Sequence, residues 1–190
     1  KHFLDSIAIA HYYNMNCNFK VMDVGTGAGF PGIPLKIAFP NLNITLLDSL
    51  AKRVGFLNEV ISQCNFDTNT IQAIHSRAED AAKNEKYREQ YDICVSRAVA
   101  NLATLSEYCL PFVKTGGCFI SYKSGNIKEE LEKSEKAIHL LGGKIEKVHC
   151  FSMEQENDDF QRSFVIIKKI NKSPKKYPRK AGLPSKEPLC

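Results

Sequence analysis

The sequence predicts an α/β chain built on a doubly wound, mostly parallel sheet of seven strands that ends in an antiparallel hairpin strand. Three observations lead there. Apolar strand-like runs alternate with amphipathic helical stretches through most of the 190 residues. A glycine-rich turn follows the first run, where a strand must hand over to a helix within a few residues. The last two runs have no helical stretch between them, so a hairpin connects them.

Residues 1–13 place Leu4, Ile7, Ala8 and His11 at helical spacing, a short amphipathic helix. Phe19 to Val24 is the first strand; it ends in the glycine turn, and a helix follows near Pro34 to Phe39. Ile44 to Asp48 is the second strand, and the helix after it puts Val54, Leu57, Val60, Ile61 and Cys64 on one face. Thr70 to Ile74 and Tyr91 to Ser96 read as the third and fourth strands. Leu102, Leu105, Cys109 and Phe112 keep helical register, with Pro111 kinking or ending that helix. Gly116-Gly117 turns the chain into a fifth strand, Cys118 to Lys123. Ile127, Leu131, Ile138 and Leu141 mark a further helix, stopped by Gly142-Gly143. Lys144 to Phe151 and Ser163 to Lys169 are the last strands, with the polar stretch Ser152 to Gln161 as their hairpin loop. Pro174, Pro178, Pro184 and Pro188 punctuate residues 170–190, which are expected as an extended arm without regular structure.

With 43% hydrophobic and 25% charged residues, the chain is neither disordered nor collagen-like. No apolar run approaches the roughly 18 residues of a membrane span. The net charge of +5 is unevenly placed. Lys168 to Cys190 holds eight basic residues and one acid, a balance of +7, which leaves −2 for residues 1–167. A basic end on a nearly neutral body suggests a polyanion contacted there. The seven cysteines form no CxxC pair, so a zinc knuckle or thioredoxin-like site has no support, and no metal is expected. Most lie in apolar runs as small core residues, which together with the lack of a signal peptide suggests a reducing cytoplasm.

In an open doubly wound sheet, ligands bind beyond the carboxyl ends of the strands, where strand order reverses. The first such edge is Asp23-Val24-Gly25-Thr26-Gly27-Ala28-Gly29-Phe30-Pro31-Gly32. Its glycines let the backbone turn sharply and approach a ligand closely, although such a turn can also bind nothing. Asp48 ends the second strand, 23 residues after Gly25, where an acid can accept from both ribose hydroxyls or cap the next helix. A dinucleotide fingerprint would need glycine where Phe30 stands, and a Walker A loop would need Gly-Lys-Ser/Thr at the helix start. Gly25-x-Gly27-x-Gly29 led by Asp23 suits S-adenosylmethionine better, since that ligand has no pyrophosphate.

The segment 23–36, Asp-Val-Gly-Thr-Gly-Ala-Gly-Phe-Pro-Gly-Ile-Pro-Leu-Lys, resembles the signature of the ribosomal RNA small subunit methyltransferase G family, also called glucose-inhibited division protein B. Lys1 to Ser6, Leu47-Asp48-Ser49, Arg77 to Asp80, Ser96 to Ala100 and Tyr177 to Pro184 agree with it, so the resemblance spans nearly the whole chain. It implies a Rossmann-like class I S-adenosylmethionine-dependent methyltransferase fold over 1–169, followed by the arm 170–190. It also implies methylation of guanine N7 (G527) in the 530 loop of 16S rRNA. Family members start with a further helical segment, which this chain, entering mid-helix at Lys1, is expected to lack.

The family's cofactor contacts fall on Gly25, Phe30, Ala78, Glu79 and Arg97, and Asp48 matches the ribose position; Asp23, Gly27 and Gly29 complete the loop. Glu79 could accept from the adenine amino group while the Ala78–Glu79 backbone reads the ring edge, or it could be a solvated acid. Arg97 could hold the cofactor's carboxylate or an RNA phosphate, or form an internal ion pair. Guanine N7 carries a free lone pair, so no general base is expected and none of the five histidines is promoted; Arg97 is the catalytic candidate. For RNA the candidates are Lys123 and, in the arm, Lys175, Lys176, Tyr177, Arg179 and Lys180, with Tyr177 stacking on an unpaired base. The expected partner is 16S rRNA, within a 30S subunit or assembly intermediate, and the expected state a monomer away from membranes. Two rival readings stand beside this one: a nicotinamide-dependent oxidoreductase on the same fold, and an RNA-binding module without activity.

Overall fold

In a computed structural model, residues 2–97, 100–125, 127–155 and 158–189 are described, with side chains 153–160 left out. Lys1, Ala98, Val99 and Cys190, quoted above, lie outside the described residues. The sheet has seven strands in the order β3-β2-β1-β4-β5-β7-β6. Five are parallel neighbours: β1 (Lys20–Val24), β2 (Asn43–Asp48), β3 (Ile71–His75), β4 (Tyr91–Ser96) and β5 (Val113–Ser124). β7 (Asp158–Lys169) runs antiparallel between β5 and the edge strand β6 (Gly143–Gln155).

The helices are α1 (His2–Ile7), α2 (Gly32–Ala38), α3 (Ala51–Gln63), α4 (Ala78–Ala81), α5 (Leu102–Cys109), α6 (Lys128–Leu140) and α7 (Leu183–Lys186). Pro111 ends α5 in a 3-10 turn, Leu110–Phe112. The strands are buried on both sides, so they read as continuous apolar runs rather than alternations. One core cluster gathers Met22, Cys94, Phe112, Phe119 and Val165; the other gathers Val21, Ile44, Leu57, Ile93 and Ile120. Along β1, β4 and β5 successive residues alternate between the two clusters, Val21 against Met22, Ile93 against Cys94 and Phe119 against Ile120, one cluster for each sheet face.

Two expectations need correction. The Ser152 to Gln161 stretch is mostly strand: β6 and β7 stay paired out to Gln155 and Asp158. Polar residues hid this, because the strand signal read from sequence is an apolar one. The C-terminal arm is also not a free extension. It contains α7, and Ser173, Tyr177, Pro178 and Pro184 are buried. The segment has few ladder bonds of its own, so its carbonyls need donors from the body. Arg88 supplies them, donating from Nη1 to Tyr177 O at 2.9 Å and from Nη2 to Ser173 O at 2.8 Å and Pro174 O at 3.3 Å.

Candidate active site

Strand order reverses between β1 and β4, and the glycine loop opens at that point. Gly25 N and Thr26 N donate to Leu47 O at 2.9 and 3.2 Å, which ties the loop to the end of β2. Gly29 has φ +96°, a conformation glycine alone adopts without cost. At Gly32 a Cβ would come within 2.8 Å of Asp23 Oδ2, so the start of α2 can sit on β1 only without a side chain there.

Asp23 is fully buried beneath this loop. Its Oδ2 accepts from Thr26 Oγ1 at 2.6 Å and from Gly32 N at 2.9 Å, while Oδ1 has no partner. Burial pushes its carboxyl up to about 6, against the pull of those two hydrogen bonds. A buried carboxylate with one oxygen unsatisfied at a sheet switch point fits a cationic ligand group.

Asp48 is buried as well, and the structure gives it internal work. Oδ1 accepts from Leu50 N at 2.9 Å, and Oδ2 from Gly27 N at 3.0 Å and Arg53 Nη1 at 3.4 Å. It thus fixes the turn that leads into α3 and pins the glycine loop. An ionised carboxyl offers about four acceptor positions, and the long contact to half-exposed Arg53 is the replaceable one.

Ala78 opens α4 beyond the end of β3, with Glu79 next to it. Glu79 is buried, and its Oε1 accepts from Gly182 N of the C-terminal segment at 2.7 Å. It is not a solvated acid. Arg97 follows β4, with its guanidinium 5.0 Å from the centre of the Phe30 ring. Arg97 Nη1 donates to Asp5 Oδ2 at 3.1 Å, and Arg162 Nε of β7 donates to Asp5 Oδ1 at 3.2 Å. One carboxylate from α1 therefore holds two arginines at the mouth of a cleft of about 520 Å³, which His2, Tyr122 and Lys123 also line. Asp5 and Arg162 were missed as site residues: Arg162 sits in a polar stretch with no pattern around it, and its partner lies 157 positions away.

Of the residues expected to meet RNA, Lys175, Lys176 and Lys180 are exposed. Lys123 is turned inward, its Nζ 2.7 Å from Ala100 O and 2.6 Å from Glu130 Oε1. Tyr177 and Arg179 are corrections. The Tyr177 ring belongs to the core, 7% exposed, and is not presented for base stacking. Arg179 clasps the fully buried Glu107, with Nε at 2.9 Å from Oε1 and Nη2 at 2.7 Å from Oε2. Both residues are drawn in because the segment buries its apolar face against α5, and each polar group that follows needs a partner.

Among the described residues no cluster of three or more His, Cys, Asp or Glu side chains gathers to hold a metal, and no helix is long and apolar enough to cross a membrane.

A family model described as rRNA small subunit methyltransferase G matches residues 1–160. The ribosomal RNA small subunit methyltransferase G of Acetivibrio thermocellus is 54% identical over 189 residues, covering all of this chain and 76% of its own length. The protein of the same name from Lachnoclostridium phytofermentans is 52% identical with the same coverage. Among solved structures, M. jannaschii TYW2 in complex with AdoMet superposes with a TM-score of 0.67 at 15% identity, over 89% of this chain and 76% of that one. A putative transferase from Pyrococcus horikoshii gives 0.65 at 13% identity, over 86% and 61%. At such identities the solved structures speak for the fold alone. The sequence relatives speak for more: the chain belongs to the rRNA small subunit methyltransferase G family.

Proposed function

We propose that this chain transfers a methyl group from S-adenosylmethionine to N7 of one guanine, G527, in the 530 loop of 16S rRNA. One observation carries the reading. The glycine loop closes over a buried, half-satisfied Asp23 at the switch point, in a chain half identical to relatives named for small-subunit rRNA methylation.

When bound, the cofactor supplies an electrophilic methyl group on a positively charged sulfur. The residues present fit it. Asp23 Oδ1 would take its α-ammonium group, the loop from Gly25 through Gly27 and Gly29 to Phe30 would wrap the methionine part, and Asp48 would take a ribose hydroxyl in place of Arg53. The backbone of Ala78 and Glu79 would meet the adenine edge. Guanine N7 would bring its own lone pair to that methyl group. No proton moves, so no residue serves as general base. The work left to the protein is in-line positioning, worth up to roughly 7–11 kcal/mol in ideal intramolecular cases. Arg97, beside Phe30 and held by Asp5, is the side chain at hand to orient the base entering the cleft. Lys175, Lys176 and Lys180 are the candidates for phosphate contacts, and a 30S particle or assembly intermediate, met by a monomer in the cytoplasm, is the substrate context.

The test is mass mapping of 16S rRNA from unmodified 30S subunits incubated with the protein and S-adenosylmethionine. One methyl on one guanine of the 530 loop is expected; label elsewhere, or none, overturns the reading. Asp48→Ala combined with Gly25→Trp should abolish incorporation, because the first removes the pin of the loop and the second fills it. Calorimetry that finds NAD(H) binding without S-adenosylmethionine binding would favour the oxidoreductase instead.

A further inference from the structure

We infer that the C-terminal segment is a working wall of the cofactor site: the Gly182 N–H fixes the Glu79 carboxylate, and through it the Ala78–Glu79 backbone that faces adenine. The inference rests on the reading above, which puts adenine at that backbone. It assigns Gly182 a positioning role, at a place beyond residues 1–160 that the family model matches.

The segment is braced at several points before it reaches Gly182. Lys169 Nζ, buried, donates to Leu110 O at 2.7 Å and to Ser173 Oγ, and Ser173 N donates to Glu89 Oε1 at 2.8 Å. Arg88 gathers three of the segment's carbonyls, and the Tyr177 ring is packed into the core. Arg179 then clasps Glu107, and beyond Gly182 the Pro184 carbonyl accepts from Thr104 Oγ1 at 3.0 Å. Gly182, at φ +83°, therefore lies between two fixed points, and its N–H donates to Glu79 Oε1 at 2.7 Å.

Glu79 is 4% exposed, and a carboxylate so enclosed needs a donor. The donor comes from 103 residues further along the chain. α4 is four residues long and cannot hold its own orientation by helix propagation. Its first turn is set by what its side chains are tied to, and Glu79 is tied to Gly182. Loosening the segment should therefore change how the site distinguishes adenine from a purine with a carbonyl at C6, and not merely how stable the protein is.

The experiment is calorimetric titration of the full chain with S-adenosylhomocysteine and with S-inosylhomocysteine. The wild type should prefer the adenine ligand by about tenfold, the worth of one net hydrogen bond. Gly182→Pro, which lacks the N–H, should bring that ratio close to one. Gly182→Ala keeps the N–H and its Cβ meets nothing within 4 Å, but a side chain at φ +83° is strained, so it should lower the melting temperature while keeping more of the preference than Gly182→Pro. Arg179→Met combined with Glu107→Leu loosens the segment without stranding a buried charge, and should lower the ratio even if Gly182→Pro fails to fold. An unchanged ratio in the loosened proteins, with only a lower melting temperature, overturns the inference and leaves the segment as packing. A wild type that binds both ligands equally overturns the placement of adenine at Ala78–Glu79, and the inference with it.

Discussion

Asp23, on the proposed reading of its site, gives folding and binding opposite pH dependences. Its carboxyl titrates at about 6 in the fold against an ordinary 3.8, because burial disfavours the charge. Between those values the folded protein keeps a proton that the unfolded chain has released, so Asp23's contribution to stability falls as pH rises through that window. Binding of a cationic ammonium needs the ionised form, so affinity for S-adenosylmethionine should weaken below about pH 6, by up to about tenfold per unit for one proton. Calorimetry across pH 5 to 8 checks this. Asp23→Asn should flatten the profile and bind about 10- to 100-fold more weakly at pH 8, the worth of a charged hydrogen bond.

Glu107 makes the complementary case for a buried charge that is fully paired. Arg179→Ala strands it in the core and should cost about 3–5 kcal/mol, whereas replacing both partners with apolar residues removes the buried charge together with the tie to the segment and should cost clearly less. Denaturant unfolding of the three proteins separates the two outcomes.

The C-terminal segment is the element whose reading changed most. Its prolines and lysines read as an extended basic arm without regular structure, and only the exposure of some of its lysines survives. Lys172, Lys175, Lys176, Lys180 and Lys186 are exposed, while Lys169, Tyr177 and Arg179 are spent on the body. Deleting everything after Lys169 would therefore uncover core as well as remove charge. A cleaner test of RNA affinity changes Lys175, Lys176 and Lys180 to Gln. If all three meet phosphates, the log–log salt slope of rRNA binding should flatten by about 2–3 units, at roughly 0.7–0.9 per contact. An unchanged slope would assign RNA contact elsewhere, with the Arg97–Arg162 cleft the first place to look. The hairpin strands β6 and β7 teach the same lesson in milder form, since a polar stretch reads as loop where the two strands stay paired.

For the molecule as a whole, the packing of the tail into one of the two core clusters implies that body and tail unfold together. Amides of Arg179 and Gly182, which donate to Glu107 and Glu79, should exchange as slowly as those of the central strands. Early exchange confined to residues 170–189 would show that the tail opens independently.

Much of the fold and the glycine loop was legible in the sequence, because apolar periodicity and a turn that needs glycine are local demands. β4 lies at Tyr91–Ser96 as the apolar run predicts, and the loop residues from Asp23 to Phe30 stand where a strand must end. The tertiary structure alone decided which charges are tools and which are fastenings. Arg179 meets Glu107 across 72 positions, Gly182 meets Glu79 across 103, and Arg162 meets Asp5 across 157. No periodicity records such pairs. Each exists because a polar group that folding carries into the interior must find a partner, and the partner is whatever residue the topology brings alongside.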